Sequence, residues 1–195
     1  MTNTTRVLTV TAVLAALFAT PAAAEGPHVA PVKEFAQAQV AKWIRNPSIV
    51  DAVKAQNSKH AGLTPAEVEG LDQQWRSQTG AASQPMIEQV LNSALSQHLS
   101  GLKADQQGLV TEIFVMDNKG LNVGQSDVTS DYWQGDEAKW QKTYLAGPDA
   151  VFVDEVEQDE STQVFQSQIS MAITDPTSGE VIGAITVGVN VDDLL

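Results

Sequence analysis

Hydrophobic and polar positions change period once along this chain, and that change organises it. Val32, Ala36, Val40, Trp43 and Ile44 recur at helical spacing and stop at Asn46-Pro47. A second helical piece, SIVDAVKAQNSKH, takes Ser48 as its N-cap. Thr64-Pro65-Ala66-Glu67 is a capping box with proline at the first helical position, and its helix carries Val68, Leu71 and Trp75 on one stripe. Pro85 opens the longest predicted helix, with Ile87, Leu91, Ala94, Leu95, His98 and Leu102 along one face as the main support of a sheet. The helical part thus runs over residues 32–104.

Beyond Gly108 the period falls to two. TEIFVMDNKGLNVGQSD reads as two strands joined at Asp117-Asn118-Lys119-Gly120, and VFVDEVE, VFQSQISMAITD and EVIGAITVGV are three more. Asp175-Pro176-Thr177-Ser178-Gly179 supplies the hairpin turn between the last two. Phe165, Ile169, Met171 and Ile173 share one face of their strand, opposite Gln166, Gln168 and Ser170. The residue pattern predicts an α+β fold: helices packed on a five-stranded, mainly antiparallel sheet, with sheet and pocket in residues 108–195. The aromatic segment SDYWQGDEAKWQKTY crosses the polar face as a lid.

The first 24 residues change the picture of where this domain works. Arg6, the apolar run Val7 to Phe18 and Ala22-Ala23-Ala24 form a secretory signal peptide, too short for a membrane span. Cleavage after Ala24 leaves residues 25–195 as one exported domain, periplasmic or secreted and not membrane-embedded. The formal net charge is −13, which argues against nucleic acid and anionic membrane surfaces. There is no cysteine, so thiol catalysis and thiolate metal sites are excluded and stability must come from core burial.

The strongest candidate site is Asp131-Tyr132-Trp133 followed by Asp136, Trp140 and Tyr144. A helix from Gly135 would place Asp136, Trp140 and Tyr144 on one side. Rings with carboxylates suit an ammonium or amidinium group, through cation–π contact and charge-assisted hydrogen bonds. For each of these residues singly, core packing or helix capping is an equal reading. Asp154 and Gln168 join the candidate ligand-binding set, since their strands should border the lid. Asp154-Glu155-Val156-Glu157 with Asp159-Glu160 is otherwise a solvated charge run. His28 is placed in a flexible lead, His60 near a helix end and His98 on an apolar stripe, and no pair has metal-ligand spacing. No nucleophile elbow or phosphate loop occurs, so neither catalytic residues, metal nor cofactor is expected.

From about Asn46 onward the chain resembles the single Cache (PDC, extracytoplasmic PAS-like) sensor domains of bacteria. The segments that carry the resemblance are NPSIVDAVKAQN, LTPAEVEGLDQQWR, EIFVMDNKGLNVGQSDVTSDYWQGDEAKW and IGAITVGVNVD. It implies a long N-terminal helix on an antiparallel sheet, with a small ligand under a lid on the other face. It also implies sensing without chemistry on the ligand, and lid positions at Tyr132, Trp133 and Trp140. The chain stops at Leu195 without a membrane helix, so a membrane receptor or sensor kinase is the expected partner. Acid-binding members use basic pocket residues, whereas the lid here offers only Lys139 and Lys142. The expectation is therefore an amine, amino acid or other small polar metabolite. The alternatives are a protein-interaction module without a small ligand and a carboxylate-dependent hydrolase.

Overall fold

The computed structural model describes residues 25–158 and 164–194. The leader at 1–24, Asp159 and Glu160 lie outside the described residues. Helix α1 (Val29–Phe35) runs through a π-helical stretch, Ala36–Val40, into the single turn α2 (Ala41–Trp43). Then follow α3 (Pro47–His60), α4 (Pro65–Gln78), α5 (Pro85–Leu91) and α6 (Ala94–Asp105). The strands are β1 (Val110–Met116), β2 (Asn122–Gln125), β3 (Val151–Gln158), β4 (Phe165–Thr174) and β5 (Val181–Asn190). One-turn helices α7 (Ala138–Gln141) and α8 (Val191–Leu194) complete the chain. All pairings in the five-stranded sheet are antiparallel, in the order β2-β1-β5-β4-β3. This is the α+β arrangement of helices on one sheet that the sequence pattern predicts.

Local chemistry explains the helix ends. Thr64 and Glu67 form the predicted capping box, with Thr64 N–H donating to the Glu67 carboxylate at 2.8 Å. The α3 cap falls two residues earlier than expected: Asn46 Oδ1 accepts from Ser48 N–H (2.9 Å), and Pro47 takes the first helical position. The helix expected from Pro85 to Leu102 is two helices. Ser93 leaves the helical region (ψ 153°) and its hydroxyl accepts from Ser96 N–H, so a new N-cap interrupts the apolar stripe. Among the described residues α3 and α4 are the longest uninterrupted α-helices, at 14 residues each.

The interruption changes what supports the sheet. Leu95 and Leu99 of α6 share that role with Val32, Phe35 and Val40 of the N-terminal helix and Ile49 and Val53 of α3. These pack on Ile113, Val115, Ile169, Ile173, Ile185 and Val187, all on one face of the sheet by strand alternation. Ile87 of α5 belongs instead to a second cluster with Val68, Trp75, Leu121 and Tyr132. The side chains of Glu112, Phe114, Gln166, Gln168, Ala184 and Thr186 alternate onto the opposite face. The segment between β2 and β3 crosses that face, as the pattern predicts.

The β1–β2 turn pins the start of the crossing. Asp117 is fully buried, and its Oδ1 accepts the backbone N–H groups of Lys119 (2.8 Å) and Leu121 (3.0 Å), an Asx turn. Gly120 follows at φ +82°, where a Cβ would lie 2.6 Å from the Gly135 backbone. A side chain there would drive the crossing segment off the turn.

Candidate functional site

The crossing segment covers only part of the polar face. Trp140 on α7 stacks on Tyr144 (centroids 4.8 Å apart, 19° between planes) and packs on Phe114, Met116 and Ala184. Its indole N–H donates to the Asp117 carbonyl at 3.1 Å. These rings fill the half of the face beside the β1–β2 turn. Over the other half a cavity of about 480 Å³ remains between sheet and loop. Its floor is Glu112 and Phe114 of β1 with Gln166 and Gln168 of β4, and Glu157 and Gln158 of β3 line its side. Val128, Thr129, Ser130, Asp131, Gln134, Glu137 and Lys139 supply the overlying loop wall.

The middle of the floor is opened by a glycine. Gly188 of β5 is the cross-strand partner of both Glu112 and Gln168. A Cβ there would stand 2.8 Å from Gln166 Oε1 and 2.9 Å from Glu112 Cγ. Without it the flanking side chains converge: Gln168 Nε2 donates to Glu112 Oε1 at 2.8 Å, and Gln166 Nε2 reaches the same oxygen at 3.4 Å. A carboxylate in a mainly apolar strand is thus held over the sheet by two amides.

The loop wall is held from α4. Asp72 is buried, and its Oδ1 accepts the backbone N–H groups of Tyr132 (2.9 Å) and Trp133 (3.0 Å). Its Oδ2 accepts from Arg76 Nε at 2.6 Å, and Arg76 reaches on to Asp131 Oδ2 at 3.1 Å. The hydrogen bond to Asp72, helped by the charges of Asp72, Asp131 and Asp136, raises the Arg76 guanidinium above its ordinary pKa. Asp131 Oδ1 accepts from the Gln134 amide, and the Asp131 carbonyl accepts from Thr129 Oγ1 at 2.6 Å. Trp75 completes the clamp, its indole N–H donating to the Thr129 carbonyl at 2.9 Å.

The structure separates the eight candidate residues. Asp131 and Gln168 line the cavity. Tyr132 is 5% exposed and stacks on Trp75 (5.4 Å, 23°) in the second apolar cluster. Trp133 packs against that cluster and donates its indole N–H to the Lys119 carbonyl at 2.8 Å. Trp140 and Tyr144 fill the far half of the sheet face. Burial, with the Asp117 charge nearby, raises the phenols of Tyr132 and Tyr144 above their ordinary pKa. The expected aromatic lining is therefore corrected in its geometry: the four rings pack on their neighbours and the cavity beside them is polar. Asp136 is exposed and precedes α7, which begins only at Ala138, while Tyr144 lies past its end. The three expected on one helical face do not share a helix. Asp154 lies at a separate small depression with Gln166 and Gln168, and its carbonyl accepts from His28 Nε2 at 3.1 Å. His28 is accordingly buried against β3, not part of a flexible lead.

Glu112, Gln134, Glu137, Glu157 and Gln166 are cavity residues outside the candidate set. Two had a readable signal: Gln166 shares the period-two face of Gln168, and Glu112 interrupts an apolar strand. The cavity sets the carboxylates of Glu112, Asp131, Glu137 and Glu157 against one ammonium, Lys139, which lies 5.7 Å from the Phe114 ring centroid. Such a lining favours a cation, and amide groups beside it add hydrogen-bonding partners of either sense. Among the described residues no group of histidine and carboxylate side chains could hold a metal ion, and no helix is long and apolar enough to cross a membrane.

No family model and no curated protein matches this chain. Its fold is similar to those of solved sensor domains. The sensory domain of the Campylobacter jejuni chemoreceptor Tlp3 is 13% identical over 86% of this chain and 65% of its own, with a TM-score of 0.41. The V. cholerae histidine kinase DctB sensor domain is 11% identical over 75% of this chain and 58% of its own, with a TM-score of 0.39. The ligand-binding domain of the Pseudomonas aeruginosa PAO1 amino acid chemoreceptor PctC, in complex with GABA, is 13% identical over 83% and 63%, with a TM-score of 0.37. The chain spans less than two thirds of the length of each.

Proposed function

We propose that this chain is an extracytoplasmic Cache-type sensor domain that binds a small cationic or polar metabolite, an amine or amino acid, without transforming it. The observation that supports this reading is the cavity of about 480 Å³ on the polar face of the sheet, with four carboxylates in its lining. Its volume lies within the range of small-molecule sites. Glu112 and Asp131 are the groups that meet an ammonium, and Gln168, Gln166 and Gln134 fix its orientation. Tyr132, Trp133, Trp140 and Tyr144 act behind them by holding the loop. Asp136 and Asp154 stand at the margin, where they add negative potential. The domain works after export and cleavage at Ala24, and passes occupancy to a membrane receptor or kinase through the covering loop.

A thermal-shift screen with amines, amino acids and organic acids tests this reading. Saturable stabilisation by amines or amino acids that is reduced in Glu112→Gln supports it. No shift with any of them favours the interaction-module reading, for which the exposed edge strand β3, with Val151 41% and Val156 37% exposed, is the surface available.

A further inference from the structure

A second cavity lies on the helical side of the same loop, and its chemistry is the reverse of the first. It measures about 290 Å³ between the end of α3, α4 and α5, with Tyr132 as a wall. In a chain of net charge −13 its lining contains no carboxylate. Lys59 and His60 stand on one side, the amides of Gln74 and Gln89 at the rim, and Leu71 and Met86 among the apolar groups. We propose that this cavity is a second ligand site, for a small carboxylate carrying an apolar body. The proposal does not depend on what fills the first cavity.

The arrangement around His60 supplies the recognition. Its ring is 6% exposed, and Nδ1 donates to Asp117 Oδ2 at 2.9 Å. The Asp117 carboxylate also accepts from Gln56 Nε2 (3.0 Å) and from two backbone N–H groups, so it cannot turn away. Nε2 is then the polar atom of the ring left for a guest. An imidazolium donates from that nitrogen to a guest carboxylate while Nδ1–H keeps its bond to Asp117. Lys59 adds charge from the same helix. Tyr132 presents a phenol held protonated, and α4 and α5 face the site with uncharged groups only. Leu71, Met86 and the Tyr132 ring offer the surface for the apolar body.

The two cavities share a wall one residue thick: Asp131 lines the first and Tyr132 the second. A guest that orders Tyr132 against Trp75 also fixes the loop carrying Asp131.

Sodium benzoate is a suitable probe, titrated into the 25–195 protein by calorimetry and by amide NMR. The expected result is saturable binding with perturbed resonances at Gln74, Met86 and Tyr132. Lys59→Glu, at an exposed position, should weaken binding about tenfold. His60→Asn keeps an N–H at the Nδ1 position for Asp117 and removes Nε2, so its fold persists while benzoate binding weakens about tenfold. Unsaturable binding, unchanged affinity in both variants, or perturbations confined to the Glu112 and Gln168 cavity would each overturn the proposal.

Discussion

The segment from Val128 to Tyr144 shows two characters, and the contrast explains how this fold makes a site. Its rings are structural: Tyr132 stacks on Trp75, Trp140 stacks on Tyr144, and Trp133 is tied to the Lys119 carbonyl. Its polar side chains, Thr129, Asp131, Gln134 and Glu137, face the cavity. Rings fill volume and fix the loop, and the short polar groups placed by that packing border the cavity. Aromatic richness marks where the lid is anchored, not the lining of the cavity on the sheet face.

Substitutions can break that contrast from either side. The largest effect is expected from Trp75→Ala, which removes a fully buried indole, its stack on Tyr132 and its bond to Thr129. Loss of about 3–5 kcal/mol of stability, read by chemical denaturation, is expected. Asp72→Ala leaves the Tyr132 and Trp133 N–H groups without their acceptor and should cost about 1–3 kcal/mol. On the cavity side, Glu112→Gln should leave stability nearly unchanged while weakening an amine ligand about tenfold, measured by calorimetry. Gly188→Ala should weaken the same ligand by separating Glu112 from Gln166 and Gln168, and the crowding of its Cβ against Thr111 Oγ1 should cost some stability as well.

The smallest effect concerns pH. The hydrogen bond from Lys54 (2.7 Å), then the Thr177 N–H, hold the Asp175 carboxyl below its ordinary pKa. A carboxyl depressed in the folded state contributes stability that is present above its unfolded pKa and lost as pH falls through the folded value. Denaturation midpoints of wild type and Asp175→Asn should differ at neutral pH and converge in strong acid. Lys54 is half exposed, so the difference at neutral pH is small.

Periodicity, capping and turn chemistry made most of the fold readable. The capping box at Thr64, the Asx turn at Asp117, the hairpin turn at Asp175 and all five strands are where local residues predict them. The helix from Pro85 failed for a local reason: Ser93 caps a new helix, and the apolar spacing runs on across that cap in the sequence although Ile87 and Leu95 end in different clusters. The site was half readable. Gln168 and Gln166 follow from alternation along β4, but the convergence of Glu112 on them needs the β1-β5-β4 register across Gly188. That pairing is long-range, and no local pattern carries it. The aromatic loop misled because ring content is the same for a roof over a guest and for a plug against the sheet.

The most direct test of the account is amide and side-chain NMR of the wild-type domain during titration with the amine or amino acid that gives the largest thermal shift. The account predicts saturable perturbation of Glu112, Asp131 and the Gln166 and Gln168 side-chain amides, with the Trp75 and Trp133 indole resonances barely moved. Saturable binding that perturbs those two indoles and leaves both glutamines unchanged would contradict it.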